Sequence, residues 1–183
     1  MIEGKANTEI FGLRVMFDTL CELSDRLDAL YPGLEHTQRR LEGAFGNPLY
    51  IYLSREDKVA QAVSLQKATQ TGLWHVAPDG SELERLAPHR DPAYDREAIG
   101  HLVKELEVQD NAWREWFDAH GIEPLRLTYE ELSHDPLAGL RTVLAKLGAD
   151  TSLASRVIPK TAKLADVQSE NWKAQFHLDN SRQ

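Results

Sequence analysis

An arginine, Arg55, follows the apolar run "LYIYL" at 49–53, and a serine, Ser64, follows nine residues later in "REDKVAQAVSLQ". A guanidinium grips a phosphate or carboxylate in two-toothed fashion, and a hydroxyl can add one more donor. If 49–53 is a buried strand and a helix starts near Asp57, the arginine stands at the strand's carboxyl end, which is the ligand edge of an open α/β sheet. The helix start behind it would add free backbone N–H groups and the positive end of a dipole. Ser64 shares a helical face with Asp57 and Gln61, seven and three residues earlier. The pattern reads as a phosphate clamp. It is equally open to Arg55 pairing with Glu56 or Asp57, and to Ser64 bonding its own i−4 carbonyl.

The elements that must position this pair follow from periodicity. "FGLRVMF" (11–17) reads as a short strand, and Leu20, Leu23, Leu27 and Leu30 recur after it at helical spacing, with Asp18 as N-cap and Pro32-Gly33 as the stop. A second helix is expected over about 35–45, then the strand at 49–53, then a helix from Asp57 to about Thr71 with Val59, Val63 and Leu65 facing inward. Residues 72–94 hold three of the eight prolines and two of the glycines, so they read as a surface excursion. A long amphipathic helix over about 95–120 offers Ile99, Leu102, Val103, Leu106, Trp113, Trp116 and Phe117 for burial, with Gly121 as its C′ residue. "LRLTY" after Pro124 is a further strand, and "LAGLRTVLAKLG" a further helix. Short apolar strands separated by helices predict an α/β fold: three layers, with a mainly parallel sheet flanked by helices.

Composition narrows the function. The 183 residues are 42% hydrophobic and 27% charged, as in a soluble globular protein, and one domain over 1–183 is expected. A net charge of −8 disfavours general attraction to nucleic acid, so an anion must be caught locally. One cysteine, Cys21, allows no intrachain disulfide and suits a reducing cytoplasm. No window is apolar enough for a membrane span, and the start lacks a signal peptide's order. The seven histidines show no HxH or HExxH spacing, so no metal is expected.

"YIYLSREDKVAQAVSLQKATQTGLWH", with "LERLAPHRDPAYD", "WREWF" and "LRLTYEELSHDP", closely resembles the bacterial trehalose 2-sulfotransferase family, over about 11–172. The resemblance implies a P-loop sulfotransferase-like fold, and 3′-phosphoadenosine-5′-phosphosulfate (PAPS) as the sulfuryl donor. It implies a sugar hydroxyl as acceptor. Apolar sheet edge left bare where a first strand is missing would favour self-association, so a homodimer is expected. Arg55 and Ser64 correspond to the arginine and serine that bind the donor's 3′-phosphate, although many sulfotransferases space them by eight residues. The tail, 158–183, resembles the segment that closes over the nucleotide, which makes Lys163, Trp172 and Lys173 candidates for donor contact; packing onto the core is the other reading of Trp172. In "LTYEELSHDP", Tyr129 and Pro136 are expected to shape a strand-to-helix turn.

Sugars are held by aromatic faces and hydrogen-bonding side chains, so the loop 72–94 with Trp74, His75, His89, Arg90 and Asp91 is the expected acceptor region. Trp74 could equally anchor that loop to the body. His75 is a weak candidate for the general base, imidazole being the side chain that titrates near neutrality. The resemblance assigns the chemistry itself to a first strand and a phosphosulfate loop of the type "PRSGST", and no such loop is found in this sequence. The chain therefore reads as a member without its first strand and P-loop, expected to transfer sulfate poorly by itself. The alternative is a non-catalytic remnant that binds nucleotide or serves as a dimerising module.

Overall fold

The protein's structure, a computed structural model, describes residues 10–181. Two compact units divide the chain, Met1–Pro48 and Leu49–Gln183.

In the first unit, α1 (Phe17–Leu30) and α2 (Thr37–Phe45) bury Leu20, Leu27, Leu41 and Ala44. Ser24, itself buried, is hydrogen-bonded to Thr37 at 3.0 Å and receives a bond from Arg40 at 2.9 Å, which ties the two helices through a polar seam. The strand expected at 11–17 does not form: residues 10–16 are irregular and α1 begins at Phe17. A strand is stabilised by the ladder that takes up its N–H and C=O groups, and apolar composition alone does not supply a partner. Asp18 lies in the first turn of α1, and Met16 is the N-cap in its place.

The second unit opens with β1 (Ile51–Ser54), which leads within three residues into α3 (Lys58–Thr71). Asp57 caps α3 by accepting the Ala60 N–H at 2.8 Å. The expected excursion at 72–94 contains a hairpin, β2 (Leu73–Val76) against β3 (Glu82–Arg85), with an irregular antiparallel register. α4 (Arg96–Ala119), capped by Asp95, returns the chain to β4 (Leu125–Thr128). β4 lies parallel to β1 in the register Ile51↔Leu125 through Ser54↔Thr128. α5 (Tyr129–His134) starts on a capping box between Thr128 and Glu131. α6 (Pro136–Lys146) follows with Pro136 in its first turn, and after a 3-10 turn (Thr151–Arg156) the tail ends in α7 (Val167–Asn180).

The result is α/β, a parallel pair flanked by helices, and the sheet is narrower than expected. Among the described residues β1 pairs only with β4. Alternation along β1 buries Tyr52, whose ring meets the edge of Phe117 on α4 at 5.7 Å, and turns Ile51 and Leu53 outward. The core lies between helices: Ala62 and Val63 of α3, Ile99 of α4, and Trp172 and Phe176 of α7. Small residues let α3 approach α4 closely, so Ala62 and Val63 are buried while Val59 and Leu65 are half-covered.

Gly72 fixes where the hairpin leaves α3. Its φ is +72°, and a Cβ there would lie 2.6 Å from both the backbone N and O of Ala87. Leu86 donates to the Gly72 carbonyl at 2.8 Å, and Arg85 to that of Thr71 at 2.5 Å. Gly72→Ala therefore combines left-handed strain with a backbone clash and is expected to cost about 2–4 kcal/mol in urea unfolding. An unchanged midpoint would contradict this packing.

Candidate functional site

Arg55 stands in the turn between β1 and α3, its side chain only 17% exposed. The parallel register sets Thr128 beside Ser54, so the first residues of α5 arrive against that turn. The Arg55 guanidinium lies 4.2 Å from the centroid of the Tyr129 ring, and its Nε lies 3.9 Å from Glu130 Oε1. The same carboxylate accepts the Glu56 N–H at 3.1 Å and the Asp57 N–H at 3.4 Å. Burial would raise the Glu130 carboxyl, but those N–H groups and the Arg55 charge hold it below the usual carboxylate range. Three N–H groups around the start of α3, those of Glu56, Asp57 and Ala60, are therefore taken within the chain. Glu130 takes two of them, and Asp57 takes that of Ala60. Arg55 pairs with Glu130 across the sheet rather than with its neighbours Glu56 or Asp57.

Arg55 and Ser64 line one cavity of about 40 Å³. The nine-residue spacing therefore brings both groups to a single space. Ala60 and Val63 of α3 and the Tyr129 ring form one side; Leu164, Ala165, Ser169, Glu170 and Lys173 of the tail form the other. Lys173 Nζ lies 3.1 Å from Asp57 Oδ2 and 3.3 Å from Glu170 Oε2. The bond to Asp57 pushes the Lys173 ammonium up. Burial opposes ionisation of Asp57, yet the Ala60 N–H and Lys173 bring that carboxyl down. A water needs about 10–15 Å³ of such space, so the cavity has room for an anion's head and not for a whole nucleotide. It can bind an oxyanion through one guanidinium, one ammonium and one hydroxyl. The Arg55 Nε is buried with no hydrogen bond, so this cation retains an unfilled donor.

Other expected residues lie elsewhere. Trp172 is buried in the helical core with its ring edge-on to Tyr94 at 6.0 Å, which is the packing reading of that residue. Lys163 is exposed, just past the bridge between Val76 and Ala162, and its neighbour Leu164 reaches the cavity. Trp74 and His75 are on β2, where Nδ1 of His75 lies 2.5 Å from Glu84 Oε2 across the hairpin. His89 and Asp91 are exposed and 3.4 Å apart, and Arg90 between them is exposed. None of these five lines the Arg55 cavity.

Tyr129, Glu130, Ser169 and Glu170 are the site residues that periodicity missed. The sequence carries one signal for the first two: Thr128 and Glu131 have capping-box spacing, which starts a helix at Tyr129. What that helix start touches depends on strand register. On the tail, Lys67 of α3 holds Asp166 at 2.7 and 2.8 Å and Ser169 at 3.1 Å, fixing the first turn of α7 beside the cavity.

The family model described as Stf0 sulphotransferase matches residues 1–179. A trehalose 2-sulfotransferase of Mycobacterium tuberculosis (strain ATCC 35801 / TMC 107 / Erdman) is 30% identical over 185 residues, which cover 98% of this chain and 65% of that protein. A trehalose 2-sulfotransferase of Mycolicibacterium smegmatis (strain ATCC 700084 / mc(2)155) is 31% identical over the same coverage. The chain thus spans about 65% of the length of the curated relatives it matches.

The docking of α7 has a pH signature. Burial would raise the Asp166 carboxyl, but Lys67 and the Ser169 N–H and hydroxyl bring it down to about 2 from 3.8. A depressed folded-state value gives stability that is present above pH 4 and lost as pH falls towards 2. Asp166→Asn is expected to lower the melting temperature at pH 7 and to flatten its decline between pH 4 and 2. Parallel melting curves for the two proteins across that window would exclude the latch.

Proposed function

From a chain that belongs to the Stf0 sulphotransferase family, we propose a sulfotransferase that takes the sulfuryl group of PAPS to a hydroxyl of a trehalose-like sugar, with Arg55, Ser64 and Lys173 on the donor's 3′-phosphate. The observation that carries this reading is the single cavity at the carboxyl end of β1 onto which those three side chains converge. Two cations and a hydroxyl match the donor set a phosphate needs. The Arg55 Nε, still without a hydrogen bond, fits such a group.

Sulfuryl transfer breaks the bond from sulfur to the donor's phosphate oxygen and forms one to the acceptor oxygen, whose proton goes to a base; adenosine 3′,5′-bisphosphate leaves. Binding the distant 3′-phosphate supplies orientation, because a fixed donor makes the in-line approach intramolecular in effect. In this reading Tyr129 and Glu130 hold the guanidinium, and Lys163 meets the nucleotide outside the cavity. Trp172 contributes by packing the tail.

The acceptor belongs at the hairpin and the segment after it. Trp74 offers a ring face to a sugar, and His89, Arg90 and Asp91 offer exposed hydrogen-bonding groups. His75, paired with Glu84 through one ring nitrogen, would present the other to a sugar hydroxyl as a weak candidate base. A cytoplasmic homodimer completes the proposal, supported by the lone cysteine and by the exposed Ile51 and Leu53 on β1.

Titration calorimetry with adenosine 3′,5′-bisphosphate tests the donor site. Arg55→Ala is expected to weaken binding by about 10- to 100-fold, as loss of charge-assisted hydrogen bonds would, and Ser64→Ala by about 5-fold. Affinity should fall as salt rises. Equal affinity for adenosine 5′-monophosphate, which lacks the 3′-phosphate, would overturn the assignment.

A further inference from the structure

Lys58 is the first residue of α3, where a cation opposes the helix dipole. Something other than helix formation therefore holds it there. Its ammonium donates to the Arg55 carbonyl at 2.7 Å and lies 3.3 Å from Asp110 Oδ2, on the middle of α4. Both side chains are nearly covered, 16% exposed for Lys58 and 11% for Asp110. A covered ion pair of this kind gains little over an apolar pair of equal volume, and its best use is to select one geometry.

That geometry is centred on Arg55. The β1 ladder ends at Ser54, and the first helical carbonyl to accept a bond is that of Asp57. The Arg55 carbonyl lies between the two ladders, and Lys58 supplies its donor. The Asp110 carboxylate also accepts the Tyr52 hydroxyl from β1, three residues before Arg55, and is bonded by Arg114 at 2.6 Å. One carboxylate on α4 thus binds the chain before the turn through Tyr52 and after it through Lys58. Burial and the Asp110 charge push the Tyr52 phenol up to about 12, so that link keeps its proton throughout the neutral range.

We propose that Lys58, seated on Asp110, is a positioning residue that fixes the Arg55 carbonyl and thereby the direction in which the guanidinium enters the cavity. The proposal rests on Arg55 as the anion ligand and deepens that assignment; Lys58 itself does not line the cavity.

Two measurements on the full chain separate the proposal from the assignment beneath it. The first is calorimetric affinity for adenosine 3′,5′-bisphosphate in Lys58→Met, Lys58→Arg and Asp110→Asn. The second is the nitrogen-proton NMR signal of the Arg55 Nε, identified by its loss in Arg55→Ala. Lys58→Met and Asp110→Asn are expected to weaken binding about 10-fold and to shift or broaden the Arg55 signal. Lys58→Arg, which can still reach both carbonyl and carboxylate, restores both. On an Arg55→Ala background, Lys58→Met is expected to cost nothing further, because its effect passes through Arg55. If the wild type ignores the nucleotide while the signal still moves in Lys58→Met and returns in Lys58→Arg, the positioning role stands and the donor assignment falls. A nucleotide affinity lost in Arg55→Ala but intact in Lys58→Met, with an unmoved Arg55 signal, overturns the positioning role alone.

Discussion

The carboxylate of Glu130 beneath the β1–α3 turn is the interaction on which the rest of the site depends. It accepts two successive N–H groups of that turn and faces the arginine that precedes them. Those two bonds tie the turn to the start of α5, which the register of β4 on β1 brings beside it. Tyr129, one residue earlier, lays its ring over the guanidinium. The neighbouring strand therefore sets Arg55's surroundings from one side, and α4 sets them from the other through Lys58.

The cations of the cavity are charge-paired, although the Arg55 Nε lacks a hydrogen bond. Arg55 faces Glu130, and Lys173 faces Asp57 and Glu170. In the proposed reading a phosphate would share Arg55 and Lys173 with these carboxylates, so its net affinity would be a difference between competing ion pairs and would depend on salt. A net charge of −8 is compatible with that proposal, because Arg55 and Lys173 are concentrated at one cavity where short-range geometry outweighs the overall field. The wall that carries Lys173 is held by apolar burial of Trp172 and Phe176 against α3 and α4, with Lys67 and Asp166 fixing its first turn.

Much of this was legible in order and little in contact. Helix positions followed from periodicity: the expected starts near Asp57 and Asp95 are the capping residues of α3 and α4, and Gly121, expected as the C′ residue, sits just past the end of α4 with φ +61°. The apolar run at 11–17 misled because apolar composition was mistaken for strand pairing. The excursion at 72–94 was recognised by its prolines and glycines, yet its hairpin was not, since a short irregular register leaves little alternation to detect. Trp172 and Trp74 were ambiguous for one reason: an aromatic ring serves a core and a ligand equally well, and only its neighbours distinguish them.

Residue types and spacing by themselves determined that an arginine follows directly on a strand and that a serine rides the following helix, whereas Lys173 was a candidate only through the family resemblance of the tail. Chain-local physics suffices for the first two, because helical and extended periods carry the side chains with them. Tertiary structure alone decided that the N–H groups ahead of α3 are consumed by Glu130, that Tyr129 stacks on Arg55, and that Asp110 reaches across from α4 to steady the turn. Those partners are separated from Arg55 by 55 to 75 positions. Parallel strand register and helix packing bring them together, and neither leaves a trace in local sequence.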